Sequence, residues 1–146
     1  MSDCELILAN WGKVESNLAD YGGEVLTCLF TEHPDTQKLF PKFVGISQAE
    51  LAGNAAIGEH GKTVLTKLGE ILRAKDSSDV IKPLATTHAN THKIGLNNFK
   101  LITEVIIKVF GDKGVWDAAT QAAFRKVMGG VVNEIDCVYK QLGFAG

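Results

Sequence analysis

The sequence predicts an all-α fold of about seven helices, give or take one, in a single domain over residues 1–146. Three observations carry this. Apolar residues recur at spacings of three and four along most of the chain, which is the period of one helix face. No stretch alternates apolar and polar residues for long, so a sheet is not indicated. The only prolines, Pro34, Pro41 and Pro83, fall at expected helix starts or corners.

Each element has its own signal. Ser2 with Glu5 makes a capping box that opens a first helix, the serine and the glutamate each satisfying a backbone N–H. Its stripe is Leu6, Trp11, Val14 and Leu18. Gly22, Val25, Leu26, Leu29 and Phe30 mark a second helix. The stretch "EHPDTQKLFPKF" reads as a short helix from Pro34 and a corner at Pro41. The connection 43–55 is polar and glycine-containing, so any helix there should be short or irregular.

From Ala55 to about Ala74, a stripe of Ile57, Gly61, Val64, Leu68, Ile71 and Leu72 predicts a long helix, which "KDSSD" breaks. Pro83 suits the first turn of a short helix ending near His92. Phe99, Ile102, Val105, Ile106 and Val109 line the next helix. Asp117 is placed to cap the last, which runs through Val127, Val131, Ile135, Val138 and Leu142 to a stop at Gly143. Gly22 and Gly61 fall inside helices, where each costs about 1 kcal/mol against alanine. A close crossing of two helices at these positions accounts for them.

Composition excludes several function classes. Hydrophobic residues make up 45% and charged residues 22% with a net charge of −2, as in a soluble globular protein. No Lys/Arg block is present, so neither nucleic acid nor an anionic membrane gains electrostatic support. "MSDCELILAN" is acidic where a signal peptide is basic, and no apolar run reaches the length of a membrane span. Cys4, Cys28 and Cys137 are odd in number and widely spaced. They read as free thiols in a reducing, cytoplasmic compartment.

The chemistry rests on the histidines. His33 precedes Pro34 and has a structural or surface role. His60 shares a face with Ile57 and Val64, and His88 follows Leu84 by one turn and precedes His92 by one turn. Zinc held by His88 and His92 lacks a third ligand, because "HANTH" has no glutamate of the H-E-x-x-H kind. No nucleophile elbow, phosphate-binding glycine loop or C-x-x-C-H haem attachment appears. Two readings stay open on these residues alone: ordinary core histidines, or two inward histidines sharing a flat apolar ligand with a central metal.

The stretches "HPDTQKLFPKF", "EHGKTVLTKLGEIL", "KPLATTHANTHKI" and "YKQLGFAG" stand in an order that resembles the vertebrate globin family. The likeness covers nearly the whole chain and is strongest to the single-chain, oxygen-storing globins of bony fishes. It implies a globin fold of seven to eight helices enclosing a pocket for non-covalent haem b. It also implies that His88 binds the haem iron, its other ring nitrogen donating to the Leu84 carbonyl with the Thr87 hydroxyl as a further acceptor.

By the same resemblance His60 is the distal histidine, which donates a hydrogen bond to bound O2, and Val64 and Leu26 shape the ligand site. Phe40 packs on the haem plane, Ile94 and Ile102 are apolar haem contacts, and Lys42 and His92 lie near the propionates. Gly22 and Gly61 fall on the family's close helix crossing.

The implied role is reversible binding of O2, and of CO and NO, by a cytoplasmic monomer of muscle with no nucleic-acid or membrane partner. The primary role is not enzymatic, with nitrite reduction, nitric oxide scavenging and pseudoperoxidase activity as secondary chemistry. A tetramer-forming haemoglobin subunit is the rival within the family, and the extension past Tyr139 in "YKQLGFAG" argues against it. Three features depart from the common pattern: Gly95 where many members have proline, the polar connection 43–55, and Trp116 near the turn before the last helix.

Overall fold

The computed structural model describes residues 3–38, 40, 43–51, 53–73, 78–89 and 96–143. Among them lie eight helices and no strand: α1 (Asp3–Glu15), α2 (Leu18–Glu32), α3 (Pro34–Gln37), α4 (Gln48–Leu51), α5 (Ala55–Arg73), α6 (Ser78–Thr87), α7 (Leu96–Asp112) and α8 (Ala118–Leu142). The expected features at Ser2, Pro41, Lys42, His92, Ile94 and Gly95, and most of "KDSSD", lie outside the described residues. No helix among the described residues is long and apolar enough to cross a membrane.

The apolar stripes become the core. On α2 the buried residues are Gly22, Val25, Leu26, Leu29 and Phe30, the same five that the periodicity selects. On α1 the inner face is Ile7, Trp11 and Val14, while Leu6 is half-buried and Leu18 opens α2. The stripe expected there was one residue out at Leu6 and ran one helix too far at Leu18. Helix α1 packs on α8 and α5, α2 on α5 and α7, and α8 also carries α6 and α7.

Local chemistry sets the helix ends. Asn54 caps α5, its Oδ1 accepting from the backbone N–H groups of Ala56 at 2.9 Å and Ile57 at 3.2 Å. Asp117 caps α8, Oδ1 accepting from Thr120 N at 2.8 Å. Gly143 ends α8 at φ 74°, a left-handed conformation that glycine adopts without a Cβ clash. Among its described residues the connection 43–55 holds one helical turn, α4. The side chain of Gln37 ties this corner down, Nε2 donating to the carbonyls of Phe43 at 2.6 Å and Ile46 at 2.9 Å.

Pro83 corrects one expectation. Helix α6 begins at Ser78, so Pro83 lies inside it rather than in its first turn. Helix α5 ends at Arg73, ahead of "KDSSD", and the last two residues of that stretch, Ser78 and Asp79, already start α6, because short polar residues suit a first turn as well as a loop. Pro83 has no N–H for the Asp79 carbonyl one turn back. Beyond Thr87 the chain continues through residues 88–89 in a wider π-helical turn.

Trp116 fills the end of the core between α7 and α8. It is 2% exposed, with its ring 4.8 Å from Phe110, 4.9 Å from Phe124 and 6.2 Å from Trp11. Its position reflects the turn after α7, where the backbone N–H groups of Val115 and Trp116 both donate to the Phe110 carbonyl. The indole Nε1 is buried and has no hydrogen-bond partner.

At the crossing of α2 and α5 backbone meets backbone. A Cβ on Gly22 would stand 2.3 Å from the Gly61 carbonyl carbon, and one on Gly61 2.2 Å from that of Gly22. These atoms belong to backbone, so no rotamer change relieves the clash. Gly22→Ala is therefore expected to destabilise the protein by about 3 kcal/mol. A urea midpoint equal to that of the unmutated chain would contradict this.

Candidate functional site: a cavity between two histidines

A cavity of about 660 Å³ opens among α5, α6, α7 and α8, within the usual range for small-molecule sites. Helix α5 contributes His60, Val64, Leu68 and Ile71, and α6 contributes Val80, Pro83 and Leu84, with His88 in the turn that follows. Phe99, Ile102 and Ile106 come from α7, and Met128, Val131 and Ile135 from α8. Thr36, Thr63, Lys67, Glu70, Asp79 and Asn98 add polar groups to the lining. Lys67 and Glu70 pair at 3.2 Å.

Each histidine is held by its neighbours. His88 Nδ1 lies 2.7 Å from the Leu84 carbonyl oxygen one turn back, the hydrogen bond that the resemblance implies. A carbonyl only accepts, so Nδ1 carries the hydrogen, and in the neutral ring the lone pair is then on Nε2. The Phe99 ring sits 5.3 Å from the His88 ring. The Thr87 hydroxyl donates to the Pro83 carbonyl at 3.1 Å, which leaves its lone pairs for accepting. Across the cavity the His60 ring meets Phe40 at 5.1 Å and Phe43 at 5.7 Å, both at 81°. Such edge-on packing restricts the ring to few orientations.

Several apolar residues of the lining, Val64, Leu84, Phe99 and Ile102, are only half-buried. Their surplus surface faces the cavity and favours an apolar occupant. With a lone pair on one histidine and a second histidine opposite, the residues fit a flat apolar group carrying a metal. Among the described residues no three His, Cys, Asp or Glu side chains cluster to hold a metal ion by themselves.

Of the residues singled out from sequence, the structure gathers His60, His88, Phe40, Val64, Leu84, Thr87 and Ile102 around this cavity. Leu26 is completely buried but does not line it; Leu29, almost one turn on, does. Sequence reasoning did not single out Phe43, which flanks His60, or Leu68, Ile71, Phe99, Ile106, Met128, Val131 and Ile135 as site residues. Most belong to the apolar stripes already described, and burial does not separate them from the core, since Ile106 and Ile135 line the cavity while fully buried.

A helical protein whose apolar cavity is lined by two histidines has a site that suits a flat metal-bearing group. Residues 23–135 match the globin family. The curated relatives include the myoglobin of Cyprinus carpio, 61% identical over 147 aligned residues and 100% of both chains. Those of Danio rerio and Sarda chiliensis are 58% and 54% identical, again over 100% of both chains. The chain belongs to the globin family.

Cys28 lies outside the cavity, its Sγ donating to Glu32 Oε2 at 3.2 Å. Burial, and next the Glu32 carboxylate, push the thiol up from 9.0 to about 11. The fold thus holds the proton more tightly than the unfolded chain does. Its contribution to stability is complete below pH 9 and is lost as pH rises through about 11. At pH 8 the folded state has about 100-fold less thiolate at Cys28 than the unfolded chain. Iodoacetamide should therefore label exposed Cys137 well before Cys28 in the native protein. Equal rates at Cys28 with and without urea would refute the shift.

Proposed function

We propose that this chain binds haem b non-covalently in the cavity between His88 and His60 and binds O2 reversibly. On this reading it is a cytoplasmic monomer that stores oxygen and carries it by diffusion. The observation that carries the reading is the 2.7 Å bond from His88 Nδ1 to the Leu84 carbonyl. It fixes the ring and its tautomer, so that Nε2 is the ligating atom. The whole-length likeness to chains named myoglobin supports the same conclusion.

Haem supplies a ferrous iron that takes up a diatomic ligand. The chain supplies the surroundings. His60, held edge-on to Phe40 and Phe43, offers an N–H to a polarised ligand, a hydrogen bond worth about 1.5–3 kcal/mol. Val64, one turn further along α5, limits the space beside that N–H. The apolar lining excludes water and so limits proton delivery and oxidation. Leu26, Lys42, His92 and Ile94 belong to this reading through the resemblance, as groups shaping the pocket or lying near the haem edge.

Two substitutions test the assignment. His60→Leu should weaken O2 binding by about 10- to 150-fold and CO binding much less, since bound CO is less polar, and should speed autoxidation. Equal losses for both ligands would sink the hydrogen-bond account. His88→Gly should lose stable haem retention and regain it when imidazole is supplied. Unchanged haem content and spectrum without imidazole would reject His88 as the ligand. For the unmutated chain, the reduced haem-loaded protein should show a five-coordinate ferrous spectrum that changes reversibly with O2. A bis-histidine spectrum would overturn the reading.

A further inference from the structure

Helix α8 forms one wall of the cavity through Met128, Val131 and Ile135. Gly130 is the middle residue of this 25-residue helix, and Gly129 precedes it. Both glycines are exposed, and neither has the positive φ found at Gly114 or Gly143. A Cβ built on either would meet nothing within 4 Å. Neither close packing nor backbone conformation requires glycine at these positions, in contrast to Gly22 and Gly61.

The pair does add backbone freedom. Glycine is the poorest helix residue after proline, because it loses the most conformational freedom on becoming helical. Two in succession weaken the helix at its midpoint, directly between Met128 and Val131. Two of the other walls are held by specific contacts. Helix α5 is locked to α2 by backbone contact, and α6 is bound by the side chains of Thr86, Thr87 and His88 to carbonyls one turn back.

We infer that Gly129–Gly130 is a hinge in α8 that lets Met128 and Val131 swing away from the cavity. Helix α8 is thereby the compliant wall through which the cavity exchanges small apolar ligands. The ligand arm of the test rests on the haem reading; the exchange arm does not.

The test compares the double variant G129A/G130A with Gly12→Ala in the haem-loaded protein. Gly12 is also exposed, inside α1, with nothing within 4 Å of a Cβ, but it is remote from the cavity lining. In G129A/G130A, amide hydrogen exchange over residues 126–134 should slow by about 30-fold. CO association should slow by about twofold or more. Gly12→Ala should slow exchange in α1 alone and leave CO association unchanged. Unaltered exchange over 126–134, an equal slowing in every helix, or unchanged CO association in G129A/G130A would overturn the hinge. A chain that fails to load haem would reject the proposed function instead, and the exchange pattern would then decide the hinge alone.

Discussion

The fold depends on a contact that has no side chain in it. Gly22 and Gly61 bring the backbones of α2 and α5 together so closely that a single added carbon on either would overlap the other. The contact fixes both the separation of the helices and their register. His60 immediately precedes Gly61, and Val64 lies less than one turn beyond it. The cavity's histidine is thus positioned by backbone against backbone. Helix α2 serves the same side twice, because its Phe30 ring also packs on Phe40 at 5.2 Å and Phe43 at 6.1 Å. Those two rings in turn flank His60.

The other side of the cavity is built by different means. Helix α6 is short and contains a proline, so its own ladder is weak. Side chains make up the difference. The Thr86 hydroxyl donates to the Lys82 carbonyl at 2.8 Å, the Thr87 hydroxyl to Pro83 and the His88 ring to Leu84. Three successive residues therefore bond to three successive carbonyls one turn back. The histidine belongs to this run, so its orientation is tied to the local backbone, with the Phe99 ring of α7 packed beside it. One histidine is thus located chiefly by a tertiary contact and the other chiefly by a local one.

Much of this was legible in the amino-acid order, for physical reasons that vary by element. The stripe of α2 selects its buried residues without error because that helix is covered along one continuous face. The two helix-interior glycines pointed to a crossing because little else justifies their cost in helix stability. Asp117 and Gly143 were readable because capping is local chemistry. The start of α6 was not readable, because serine and aspartate favour a first turn and a loop alike. Phe43 escaped notice because its partner is seventeen residues away, across a corner that no periodicity describes. Leu29 rather than Leu26 reaches the cavity, a choice set by the rotation of α2 against its neighbours. That rotation is a tertiary quantity, and a single-helix pattern does not contain it.

Trp116 also governs how the molecule can be observed. The chain has two tryptophans, and their rings lie 6.2 Å apart in one cluster with Phe110 and Phe124. Both indoles are almost completely shielded from solvent, and the Nε1 of Trp11 lies 2.8 Å from where a Cβ on Gly69 would stand. In the haem-free chain, intrinsic fluorescence therefore reports on a single locality, where α1 and the α7–α8 corner meet the C-terminal half of α5. An emission change records the opening of that locality and carries no direct signal from the His60 end of α5.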